Sequence, residues 1–137
     1  MRLIAALLLA AAPAAAQQSP SSFEAGRALP LAPGQWTHFA TAGGSIAIYG
    51  SHIQLRCDRV SRTVTIDRPN APPAALTIAT DSLTRTLPPN GRLAATDPLL
   101  DAIAFSRGRF IVSGGTGPTV AVPSWPEAAR SIEDCRN

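Results

Sequence analysis

Two histidines, His38 and His52, are the side chains here whose ordinary pKa suits proton exchange near neutrality. A serine hydrolase would need one of them as general base, beside an activated serine and an orienting carboxylate. Ser45, Ser51, Ser106 and Asp101 supply the residue types, but none sits in a nucleophile-elbow signature. Each histidine therefore reads as an exposed strand residue. Asp97 and Asp101 are four apart at a predicted helix start, where capping accounts for both. Glu133-Asp134, flanked by Arg130 and Arg136, reads as an exposed ion-pair network. Two cysteines, two histidines and scattered acids show no metal-ligand spacing. Gly114-Gly115-Thr116-Gly117 offers backbone N–H groups to an anion, but no lysine and no helix follow it, so it reads as a hairpin turn. No catalytic residue, metal ligand or cofactor is assigned.

The arginines are the remaining groups with specific chemistry. Every basic side chain apart from histidine is arginine. Arg56, Arg59 and Arg62 fall around one predicted hairpin, and Arg107 and Arg109 flank Gly108 between a helix and a strand. A guanidinium fork matches carboxylate and phosphate. These five are the candidate anion- or partner-binding residues, with an envelope protein, a lipid headgroup or a polysaccharide as partner. The alternative is a solvated strand face. Nucleic acid is disfavoured, because the net charge is only +3 and no aromatic residues interleave with the arginines.

Cys57 and Cys135 bear on compartment and stability. Met1-Arg2, the apolar run Leu3–Ala12, Pro13 and Ala14-Ala15-Ala16 make the three parts of a secretory signal peptide over residues 1–16. The apolar run is half the ~20 residues that cross a bilayer, so no transmembrane segment is expected after cleavage. An even cysteine count in an exported chain predicts one disulfide, and two cysteines allow one intramolecular pairing. Closing so long a loop contributes about 4–5 kcal/mol in the chain-entropy account. The expected destination is periplasmic or secreted.

The elements that must position these groups follow from periodicity. Residues 17–34, rich in Pro, Gly and Ser, read as a tether in which Phe23, Leu29 and Leu31 are available to dock. Residues 35–137 read as a single disulfide-stapled domain. Strands are predicted over Trp36–Thr41, Ser45–Tyr49, His52–Cys57, Thr63–Asp67, Ala75–Thr80, Ser82–Leu87, Arg92–Ala95, Arg109–Ser113 and Thr119–Val122. In His52–Cys57, Ile53, Leu55 and Cys57 share one face. Asp97-Pro98 predicts a helix start, with Leu99, Leu100, Ile103 and Phe105 on the buried side. Ser124-Trp125-Pro126-Glu127 matches a capping box, with Ser124 as N-cap. Trp125, Ala128, Ala129, Ile132 and Cys135 then form one helical stripe. A strand face and a helix stripe thus each turn their cysteine inward. The expected fold is α+β and mainly antiparallel, a small twisted sheet, an open barrel or a sandwich, with two helices in the C-terminal third.

The segments Ser106-Arg107-Gly108-Arg109-Phe110, Pro123-Ser124-Trp125-Pro126-Glu127 and Glu133-Asp134-Cys135-Arg136 resemble the C-terminal pattern of small exported proteins from GC-rich alphaproteobacteria. The resemblance implies export and a single fold. It carries no activity and no site residue. The expected function is a small, exported, non-enzymatic binding or envelope-associated protein. One alternative is an inhibitor of an extracytoplasmic hydrolase, projecting the loops Arg68–Ala74 or Gly114–Pro118 from a preorganised frame. The other is a small hydrolase. Oligomeric state is not legible in the sequence.

Overall fold

A computed structural model describes residues 22–137. The expected signal peptide and the first residues of the tether lie outside them. Nine strands and three helices form an α+β fold of two open sheets, not closed into a barrel. The first sheet has the order β1-β2-β3-β4-β7 and is antiparallel throughout. Its strands are β1 (Trp36–Thr41), β2 (Gly44–Tyr49), β3 (Ile53–Asp58), β4 (Thr63–Asp67) and β7 (Arg92–Ala94). Ile53, Leu55 and Cys57 of β3 and Val64 and Ile66 of β4 are buried, while Arg56 and Asp58 between them are exposed. This period of two is what a sheet with one wet face requires.

The second sheet has the order β6-β5-β8-β9 and is also antiparallel. It comprises β5 (Leu76–Ala79), β6 (Thr84–Thr86), β8 (Arg109–Gly114) and β9 (Val120–Pro123). Here the central strands are buried on both faces, with Phe110, Ile111 and Val112 buried in succession. Phe110 and Val112 join the main core, together with Ala47, Leu55 and Ile66 of the first sheet. Ile111 turns the other way and forms a second cluster with Ala79 and Ala121.

The cover of that second cluster comes from the segment expected to be a tether. Helix α1 (Ser22–Gly26) and the residues after it place Phe23 and Leu29 on the cluster. Leu31 forms a parallel bridge to Ala121, and the Ala32 N–H donates to Ala121 O at 2.8 Å. Residues 22–32 are thus packed onto the domain.

Helix α2 (Pro98–Phe105) begins as the sequence predicts, with Asp97 accepting from the Leu99 N–H and Pro98 in the first turn. Phe105 departs from the expectation and is 81% exposed. Two residues beyond Ile103 is about 200° around a helix, so the stripe that buries Leu99, Leu100 and Ile103 turns Phe105 outward.

Helix α3 (Pro126–Asp134) lies across β1, β2 and β3. The expected capping box is not formed. Trp125 is the N-cap residue, and neither Ser124 Oγ nor Glu127 Oε2 finds a partner. The chain stays extended through Ser124, whose N–H donates to Gly108 O. The Trp125 ring meets Tyr49 edge-on at 6.4 Å, so ring packing rather than a side-chain cap sets the entry. Just beyond α3, Cys135 is joined to Cys57 of β3, with Cα atoms 5.5 Å apart. No helix among the described residues is long and apolar enough to cross a membrane.

Candidate functional site: an arginine-lined cleft

The turn from α2 into β8 carries Arg107 and Arg109. Gly108 has φ +75°, a left-handed conformation that reverses the chain and favours glycine. The Ser106 hydroxyl donates to Arg109 O at 2.6 Å and accepts from the Asp81 N–H at 3.2 Å. That hydroxyl therefore ties this turn to the one between β5 and β6. The second turn is closed by Thr80, whose Oγ1 donates to Leu83 O and accepts from the N–H groups of Ser82 and Leu83. Both turns are fixed by bonds that use no part of the arginine side chains.

These two turns and α1 enclose a cleft of about 740 Å³, lined by Phe23, Glu24, Arg27, Asp81, Ser82 and Arg107 through Arg109. The three guanidiniums differ in freedom. Arg109 is committed, with Nη1 donating to Leu29 O at 2.5 Å and to Gly26 O at 3.4 Å, which holds the end of α1. Arg27 lies 3.4 Å from Glu24 at 65% side-chain exposure. Arg107 is 93% exposed, and its Nε stands 3.7 Å from Asp81. Three positive and two negative groups leave the cleft positive. Its most exposed donor, Arg107, is paired only at long range and retains N–H groups for a planar anion.

The arginines near the first hairpin are not part of this cleft. Arg56 is paired with Asp67 at 2.7 Å. Arg59 donates to Asp134 O at 3.1 Å and so holds the C-terminal end of α3. Arg62 occupies the β3–β4 turn with φ +51°. Arg56 does line a shallow trough of about 400 Å³ with Arg92, Thr65, Asp58 and Asn90. One acid, Asp58, faces two arginines there, and Arg56 is already paired with Asp67. Asp58 is held below the usual carboxylate range, chiefly by the backbone N–H of Ser61.

Neither histidine stands as an exposed strand residue. His52 has its Nε2 3.2 Å from Pro33 O. The His38 side chain is only 11% exposed, and its Nε2 lies 2.9 Å from Asp134 Oδ2. Asp134 is held below its ordinary pKa first by a hydrogen bond from Ser45, and further by His38 and Arg59. Ser45 is buried, with its hydroxyl 3.1 Å from that of Ser131. The carboxylate lies between serine and imidazole, whereas nucleophilic catalysis needs the imidazole between the other two. The cluster fastens α3 to β1 and β2. This corrects the expected pairing at the helix end: Asp134 bonds His38 and Arg59, while Arg136 reaches Asp101 at 2.7 Å.

Arg68, expected to open the projecting loop Arg68–Ala74, is instead 8% exposed. Its guanidinium donates to Gly114 O and to Pro118 O, so it joins the loop after β4 to the loop between β8 and β9. A Cβ on Gly117 would stand 2.7 Å from this guanidinium, so a side chain there would push the clamp aside. Burial lowers the pKa of Arg68. Ser82, expected to start a strand over Ser82–Leu87, lies instead in the turn before β6, and nothing local in the sequence places α1 and its Arg27 opposite that turn. Among the described residues, no three His, Cys, Asp or Glu side chains gather into a metal-sized group. Comparisons with family models, with curated proteins and with solved structures gave no match for this chain.

Proposed function

We propose that this chain is an exported, non-enzymatic binding module whose cleft takes an acidic group, a carboxylate or phosphate, of an envelope partner. The observation that carries this is the gathering of Arg27, Arg107 and Arg109 around one cleft whose two turns are braced independently. The turns are preset, so the ordering cost on binding falls on the exposed Arg27 and Arg107 side chains alone. Export rests on the tripartite start of the sequence and agrees with the disulfide. The test is amide NMR during titration with inorganic phosphate, with citrate and with phosphatidylglycerol vesicles. Shifts that cluster at Ser82, Arg107 and Gly108, weaken with salt and vanish in Arg107→Glu are expected. Shifts scattered over all exposed arginines would sink the cleft as the site.

A second reading, inhibition of an extracytoplasmic hydrolase, is favoured by Arg68. It clamps together the two loops that such an inhibitor would project, Arg68–Ala74 and Gly114–Pro118. Slowed turnover of a peptidoglycan hydrolase or protease, relieved in Arg68→Met, would support it. Unchanged rates across a panel would remove it.

A further inference from the structure

The two sheets have four edges, and three of them are closed. Strands β6 and β7 are three residues long and each carries an arginine, Arg85 and Arg92. The outer edge of β9 is taken by Leu31 and Ala32. Short length, charge and a covering segment are the devices by which proteins prevent edge-to-edge pairing. Strand β1 has none of them. It runs six residues without a break in its register against β2, and it contains no Asp, Glu, Arg, Pro or Gly. Among the described residues no segment pairs with its outer side. Every second residue of such a strand directs its N–H and C=O away from the partner it already has.

We propose that β1 is the contact between two copies of this chain, paired antiparallel about a two-fold axis to make one continuous ten-stranded sheet. Charge selects the occupant. From Ala28 to Leu55 the chain has no Asp, Glu, Lys or Arg, and 21 such residues are spread over the rest of the 137. An isologous contact sets the groups on its axis beside their own copies, so a charge there would repel itself. A charged partner would find nothing on this edge to match it. The side chains point the same way. Phe39, at the middle of β1, is 45% exposed on the outer face, next to partly exposed Ile46 and Ile48. The two-fold axis stands perpendicular to the sheet, which leaves both outer faces on one side. The two Phe39 rings become cross-strand neighbours there. With the other three edges closed, pairing stops at two copies. The contact is independent of the arginine cleft, which lies against the other sheet.

The test is light scattering and sedimentation of the oxidised protein over a concentration series. The expected result is a concentration-dependent rise to twice the monomer mass. Phe39→Lys puts a charge against its own copy, and Thr37→Lys puts one on the same exposed face, across from Thr41 of the other copy and beside its Phe39. Each is expected to weaken self-association by about tenfold or more with the circular dichroism spectrum unchanged. Val60→Lys, on a residue 92% exposed in the β3–β4 turn, is expected to dimerise like the parent. A monomer at every concentration up to the solubility limit overturns the proposal. So does undiminished dimerisation in folded Thr37→Lys, the variant read if Phe39→Lys does not fold, or loss of the dimer in Val60→Lys.

Discussion

The four-stranded sheet carries packed side chains on both faces, whereas the five-stranded sheet packs one face and leaves the other wet. The chemistry of the strands differs to match. Strands β8 and β9 run Phe-Ile-Val and Val-Ala-Val, while β3 alternates as Ile-Gln-Leu-Arg-Cys-Asp. Doubly covered strands lose the alternation because both sides are core. The covers also differ. The four-stranded sheet is closed on its far side by α1 and residues 29–32, and the five-stranded sheet is clamped on its inner side by α3 and the disulfide. Polar groups able to bind are therefore confined to rims and turns on the four-stranded sheet, but spread over a whole face of the five-stranded one.

Paired substitutions test that contrast most sharply. Ile111→Ala, beneath Phe23 and Leu29, is expected to cost about 2–5 kcal/mol in urea unfolding, and Ile46→Ala, on the open face, under about 1 kcal/mol. Equal costs would mean that α1 is not a true cover.

Removing the clamp of the other sheet comes next. Replacing Cys57 and Cys135 together by Ala is expected to cost about 2–5 kcal/mol. Hydrogen exchange should rise in α3 and β3 more than in β8 and β9, and uniform loss would argue against a local clamp.

The ionic part of the clamp is weaker and depends on pH. Asp134 has a lowered pKa in the fold, so its contribution is present above the ordinary carboxylate range. It is lost as pH falls through the folded-state value. Asp134→Asn is expected to cost about 1.5–3 kcal/mol at neutral pH, and the gap to the parent should close in strong acid. A gap that persists at the lowest pH would assign the effect to packing instead.

The smallest effect is expected at the cleft. Arg107→Ala, at 93% side-chain exposure, should change stability by less than about 0.5 kcal/mol while abolishing phosphate-induced shifts. A large stability loss would make Arg107 part of the frame.

Local chemistry was readable in the sequence wherever one element settles it. The alternation of β3, the Asp97-Pro98 helix start and the inward aim of both cysteines each need only a few neighbouring residues. Contacts set by tertiary approach were not readable. His38 meets a carboxylate 96 residues away, Arg68 meets carbonyls 46 and 50 residues away, and α1 lies against β8 across a long separation. The failed capping box has the same origin. Its residues are correct in type and spacing, but β9 and the Trp125–Tyr49 contact fix where the helix begins.

The Leu31–Ala121 bridge makes the protein's growth behaviour depend on an intact backbone. In polymer terms, a molecule with only the β1 edge open is monofunctional. Residues 33–35 are exposed, and a cut there would leave 22–32 held to β9 and Ile111 by non-covalent contacts alone. Release of that fragment would open the β9 edge and make each molecule bifunctional. Limited proteolysis followed by light scattering is then expected to show open-ended growth in place of a fixed size.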